Sequence, residues 1–239
     1  MNYHLDWSVL WSGQSGGWLF QGLLTTLEIS TISWLLAVAL GVLTGGLRTV
    51  PLAILRWLAT GYVEFFRNVP LLVWMFFWYF GAPSLLPQAM RDWLFDHGAE
   101  FWAAVFALGV YHGARFSEVI RAGIQSIPKT QLEAALSTGL TIAQAYRLVI
   151  LPIALRIIIP PATNETLNLI KNSSVALTIG VAELTFQTRQ IETYTAKAFE
   201  ALAAGTVIYL MLCLAIATLM ARIERRVAIP GMIVQGSAP

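Results

Sequence analysis

Three cations, Arg67, Arg115 and Lys171, lie inside stretches of sequence otherwise apolar enough for lipid. Ionisable side chains at membrane depth are costly and mark solute or ion paths, so the chemistry they offer is attraction of an anion. Lys171 is embedded with Asn168, Asn172, Ser173 and Ser174, and helical spacing puts Asn164, Asn168 and Lys171 on one face. That face either lines a path or forms a polar seam to a neighbouring subunit. Arg115 lies about 21 Å along a hydrocarbon core about 30 Å thick, counting from Phe101. It reaches the interface, pairs with Glu118 three residues on, or meets the solute. Arg67 and Glu64, three residues apart just before Pro70, make either a structural pair or a gate.

Covalent chemistry has no comparable support, and no catalytic residue or metal ligand set is assigned. A GxxxxGK[ST] loop is missing, so ATP hydrolysis by that route is excluded. His4, His97 and His112 are far apart and belong to no metal motif; each reads as an interfacial or packed histidine. The lone Cys213 excludes a disulfide framework. Two formal sequons, at Asn164 and Asn172, fall in an apolar span and are accidental.

The elements that must position these cations are membrane helices. Hydrophobic residues make up 57% of the 239 and charged residues 12%, against about 25% charged in soluble domains, and mean hydropathy is +0.67. Five spans are expected, at about 22–47, 58–80, 101–120, 157–184 and 201–221, making one all-α polytopic domain over 1–239. Arg48, Arg56, Arg121, Lys129, Arg147, Arg156, Arg222, Arg225 and Arg226 fall on one side of these spans; Arg91, Arg189 and Lys197 fall on the other. The positive-inside rule then puts the N-terminus outside and the C-terminus in the cytoplasm. An N-terminal arm without Lys or Arg is no secretory signal peptide. The second span is interrupted at Pro70, and the fourth at Pro160, Pro161 and TNETLNLIKNSS, so both should face protein or a wet path. Gly41 and Gly45 permit close helix approach. A net charge of +2 gives no reason to expect nucleic acid.

Between the third and fourth spans runs IPKTQLEAALSTGLTIAQAYRLVILP, the cytoplasmic segment of about 129–152. Thr130 with Glu133, then Thr141 with Gln144, are spaced as capping boxes. Gly139 suits the left-handed turn between two short helices. Leu132, Ala135 and Leu136, then Ile142, Ala145, Tyr146 and Val149, give each helix an apolar stripe. Pro152 marks a kink or an end. Pattern alone allows either a knob for another protein's groove or a hairpin lying on the membrane.

The spacing Glu133-Ala134-Ala135, Gly139, Val149, Leu151-Pro152 resembles the EAA motif of ATP-binding-cassette importer permeases, with seven positions agreeing over twenty residues. YVEFFRNVPLLV (62–73), EVIRAGIQSIPKTQLEAA (118–135) and LNLIKNSSVALTIGVAEL (167–184) resemble the polar amino-acid branch; Thr130 departs from its usual Gly. LRTVP (47–51) and ERRVAIPG (224–231) are similar to a glutamate/aspartate importer permease. The resemblance covers nearly the whole chain. It implies a type I importer permease fold and a multi-pass protein of the bacterial inner membrane. In that family this segment is the coupling helix, so Glu133, Ala134, Ala135, Gly139, Leu151 and Pro152 would dock a cytoplasmic ATPase dimer that carries ATP and Mg; no cofactor is expected on this chain. Further implied partners are a second permease subunit, a different chain by the two-permease pattern, an external amino-acid-binding protein, and membrane lipid. An Arg at position 115 resembles the glutamate/aspartate type, whereas the family pattern has an Arg at 67 whatever the substrate. Glutamine, histidine or arginine importers are the alternatives within the class. An ion-coupled carrier, which the missing internal repeat disfavours, and a non-transporting scaffold lie outside it.

Overall fold

The first long helix shows how the sequence packs. In α1 (Ser15–Leu47) the buried positions include Gly22, Thr26, Ser30, Ser33, Ala37, Gly41 and Gly45, while Phe20, Leu24, Leu35, Val42 and Leu43 point outward. Small residues recurring every three or four positions let backbones approach, and large apolar side chains are left for the surroundings. This is the arrangement expected of a helix solvated by lipid rather than water.

The computed structural model describes residues 4–227, so residues 228–231 of the ERRVAIPG tail lie outside the described residues. Among the described residues every regular element is helical. After α1 come α2 (Ala53–Arg67), α3 (Leu71–Phe76, prolonged by irregular turns to Leu85), α4 (Gln88–Asp96) and α5 (Ala99–Gln125). Then follow α6 (Lys129–Ser137), α7 (Ile142–Ala145), α8 (Leu151–Asn172), α9 (Leu184–Thr195) and α10 (Ala198–Val227).

Helix α5 is the hub. A Cβ added at Gly45 of α1 would come within 2.9 Å of Ile120 and of the Ser117 carbonyl, and Gly41 abuts Phe116. Numbers rise together along the two helices, so α1 and α5 run in the same direction. Helix α8 runs the other way, Ile158 meeting Gly123 and Glu165 meeting His112. Helix α10 is antiparallel to α8, with Glu224 accepting from Thr163 Oγ1 at 2.7 Å. The main core gathers Ile29, Leu71, Trp74, Met75, Leu108 and Tyr111. At the other end of α1, Glu183 is fully buried and caps α9, accepting from the amides of Thr185 (2.9 Å) and Phe186 (2.8 Å) and the Tyr209 hydroxyl. Asp6 caps the turn Trp7–Leu10, and its bonds from the Ser8 hydroxyl and amide hold the carboxyl below its ordinary range.

Among the described residues, three helical runs are long and apolar enough to cross a membrane: Ser15–Leu47, Ile142–Ile179 and Ala198–Val227; Leu71–Leu85 is a shorter apolar run. Helix α5 is 27 residues long but diluted by His112, Arg115 and Glu118. The expected stretch 58–80 is divided between α2 and α3, with Pro70 at the N-cap of α3.

Two expectations about proline are corrected. Pro160 and Pro161 do not interrupt α8, which continues through both to Asn172; the irregular turns begin at Ser173. Removing two donors deprives only the carbonyls four residues earlier, and the flanking turns hold. Pro152 likewise does not end a helix. The turn before it, Tyr146–Ile150, is widened to π geometry, and the Leu151 amide donates to the Tyr146 carbonyl. That wider turn makes room for the proline ring and for the bond its missing amide hydrogen cannot make.

Candidate functional site

Two regions hold the residues singled out by sequence. The first is the polar chain between α5 and α8. His112 is completely buried, and its Nδ1 lies 2.6 Å from Glu165 Oε1. Asn172 Nδ2 lies 3.2 Å from the opposite ring nitrogen, Nε2. An amide nitrogen can only donate, so Nε2 accepts and the ring proton sits on Nδ1, donating to Glu165. Beyond Glu165 stands Arg115. Its Nη2 donates to the Tyr111 hydroxyl at 2.8 Å, and its guanidinium lies 4.9 Å from the centre of the Tyr111 ring. Arg115 Nε is 3.9 Å from Glu165 Oε1, an ion-pair distance too long for a hydrogen bond, and has no hydrogen-bond partner. The side chain keeps 41% of its surface open.

Of the alternatives open to Arg115, the pair with Glu118 does not form. The end of α1 brings Arg48 within 2.8 Å of Glu118, Arg121 adds a contact at 2.7 Å, and Arg67 approaches to 3.5 Å. Three guanidinium groups thus share one carboxylate, and Arg115 turns the other way. Arg67 also stands 3.8 Å from Glu64, whose other oxygen accepts from Asn68.

The remaining candidates separate. Asn164 and Lys171 are exposed and Asn168 is half-buried on the outer side of α8. Ser173 and Ser174 return their hydroxyls to the carbonyls of Ile170 and Lys171, each at 2.7 Å, closing the end of the helix. Asn172 leaves that face for His112. Sequence reading passed over Glu165 inside an accidental sequon and read His112 as a packed histidine. It is packed, but also hydrogen-bonded at both nitrogens. The available signal was one acid facing an apolar helix interior, the feature that had already singled out the three cations.

The second region is the segment 129–152. Gly139 has φ +87°, the left-handed conformation that favours glycine, and a Cβ there would meet nothing within 4 Å. The Thr141–Gln144 capping box is complete: the Thr141 amide donates to Gln144 Oε1 at 2.9 Å and the Gln144 amide donates to Thr141 Oγ1 at 3.3 Å. The Thr130–Glu133 box is absent. Helix α6 starts at Lys129, directly after Pro128, so Thr130 is already inside the first turn rather than at the cap. The apolar stripes divide. Ala135 and Ala145 are buried, and Leu132 and Val149 pack on Ile127, Ile150 and Ala154. Leu136, Ile142, Tyr146, Leu148 and Leu151 stay exposed. Glu133, Ala134 and Gly139 are exposed on the same short unit, and Pro152 is half-buried at its base.

Among the described residues no three His, Cys, Asp or Glu side chains are grouped to hold a metal. The two regions thus hold a half-open cation beside a buried carboxylate and a short unit with exposed apolar side chains.

Residues 37–229 match the family described as the binding-protein-dependent transport system inner membrane component. The chain is 42% identical over 219 residues to the Escherichia coli K12 glutamate/aspartate import permease protein GltJ, covering 90% of this chain and 89% of that one. It is 36% identical to the Escherichia coli K12 glutamine transport system permease protein GlnP, covering 94% and 98%. The Bacillus subtilis protein GlnM, a probable glutamine ABC transporter permease, is 38% identical, covering 86% and 91%. A solved amino-acid ABC transporter with histidines superimposes with a TM-score of 0.81 at 30% identity, covering 94% of this chain and all of that one. The methionine transporter MetNI gives 0.69 at 20% identity over 91% of this chain, a likeness of fold alone. With its buried small-residue seams, its apolar helices and an EAA segment in the expected place, this chain belongs to the inner-membrane permease family of binding-protein-dependent transport systems and is a multi-pass amino-acid ABC permease.

Proposed function

We propose that the chain is the permease subunit of an ATP-driven importer for glutamate and aspartate in the bacterial inner membrane, supplying half of the translocation path. The observation that carries the substrate is Arg115, a half-open guanidinium resting on Tyr111, on a helix that this reading takes as a span. A carboxylate can take two of its donors side by side. Relatedness to a glutamate/aspartate permease at 42% identity supports the same reading. Lys171, Asn164 and Asn168, on one exposed face, provide the next donors along the path or the seam to the second permease. Arg67 and Glu64 act as a structural or gating pair.

In this reading the five spans are completed by α3 and by α5, the N-terminus is external, and the segment 129–152 is cytoplasmic. Leu136, Ile142 and Tyr146 enter a groove of the partner ATPase, with Glu133, Ala134, Ala135 and Gly139 at the contact and Leu151 and Pro152 at its base. ATP and Mg reside on that ATPase dimer. An external binding protein delivers the amino acid, and a different permease chain supplies the other half of the path. This subunit hydrolyses nothing.

A glutamine importer is the second reading, favoured by glutamine permeases that match almost as much of the chain at 36% and 38% identity. Gentle purification from native membranes with mass-spectrometric identification of partners is the first test. A Walker-A ATPase together with a second EAA permease is the expected result; repeated complexes without an ATPase would overturn it. Uptake of labelled glutamate under competition by aspartate or glutamine separates the substrates.

A further inference from the structure

We infer that His112 is a positioning residue for Arg115: by engaging Glu165 it keeps that carboxylate from closing on the guanidinium and leaves Arg115 free for the carboxylate of an acidic amino acid. The inference rests on the reading of Arg115 given under the proposed function.

One oxygen, Glu165 Oε1, serves both neighbours. It accepts from His112 Nδ1 at 2.6 Å and stops 3.9 Å short of Arg115 Nε. That Nε is buried without a hydrogen-bond partner, although a buried donor beside an anion gains from closing the gap. Two features hold the gap open. Asn172 fixes the tautomer that lets His112 donate, and the Tyr111 hydroxyl and ring hold the far end of the guanidinium. Glu165 therefore offsets the charge of Arg115 without occupying its donors. Without the histidine donor, Glu165 would pair with Arg115 side-on, and the site would lose its receptor for a carboxylate while keeping space for a neutral side chain.

The test is equilibrium binding of labelled glutamate and glutamine to the purified permease–ATPase complex, without binding protein. His112→Leu is expected to weaken glutamate binding about tenfold and glutamine binding less than about threefold. Adding Glu165→Gln to that variant removes the competing carboxylate and is expected to restore glutamate binding to within about threefold of the unmodified complex. His112→Asn, whose amide can donate from near the Nδ1 position, should bind glutamate better than His112→Leu. Asn172→Ala offers a milder route from a half-buried position: a loss of about threefold, again reversed by Glu165→Gln. A double variant as weak as His112→Leu, with an unchanged melting temperature, would overturn the inference and leave the substrate reading standing. Undiminished glutamate binding by Arg115→Gln, or none by the unmodified complex, would instead sink the substrate reading and the inference with it.

Discussion

The segment 129–152 and the buried polar chain are built on opposite principles. In the segment 129–152 the signals are local: a capping box three residues wide, a glycine at φ +87° and apolar positions spaced at one helical turn. In the polar chain the partners are 53 and 60 residues apart, His112 with Glu165 and with Asn172. The first region leaves Leu136, Ile142 and Tyr146 exposed; the second joins its polar groups to one another. If the first docks a partner as proposed, these exposed side chains are what that partner would cover, whereas the second would need no partner to hold its geometry.

Substitutions at Gly139 should separate the two most sharply. Gly139→Val places a branched side chain where the backbone is left-handed, a conformation costing about 1–2 kcal/mol for ordinary residues. Uptake by the assembled importer should fall more than about tenfold and the ATPase should no longer co-purify, while the polar chain stays intact. Gly139→Asn, which tolerates that conformation, should retain most uptake; equal loss in both would point to close approach by the partner rather than to the turn. Arg115→Gln should cut glutamate uptake about tenfold with the ATPase still bound, the reverse pattern; unchanged glutamate-to-glutamine preference would remove Arg115 from the path. Smaller again is Gly45→Leu, which crowds Ile120 across the α1–α5 seam. Overpacking costs about 1–3 kcal/mol, read as a lower melting temperature with substrate preference unaltered. Thr141→Ala is expected to do least. Loss of one cap is worth about 1 kcal/mol, visible as faster amide exchange at Gln144 and weaker ATPase retention.

Legibility in the sequence follows the same division. The turn at Gly139, the second capping box and the close approach at Gly41 and Gly45 were readable because each depends on residues within one or two helical turns. The Thr130–Glu133 box misled, since Pro128, two positions upstream of Thr130, set the helix start first. The fate of Arg115 was not readable at all. Its nearest acid in sequence, Glu118, is claimed by Arg48 from a helix 70 residues away, and only the parallel packing of α1 on α5 decides that. Glu165 was missed because a polar run within a span looks uniform until a neighbouring helix selects one member. Pro160 and Pro161 looked like a break because two lost donors are conspicuous in a sequence and minor in a helix of 22 residues.

The widened turn at Tyr146–Ile150 has a mechanical consequence. Because it absorbs Pro152 without a break, the helical run from Ile142 to Ile179 is continuous. Glu165 therefore sits about 21 Å along the same rod from Leu151, at about 1.5 Å per residue. A push or twist at the segment 129–152 would reach the carboxylate beside Arg115 through one helical run, with no loop in between to dissipate the stroke.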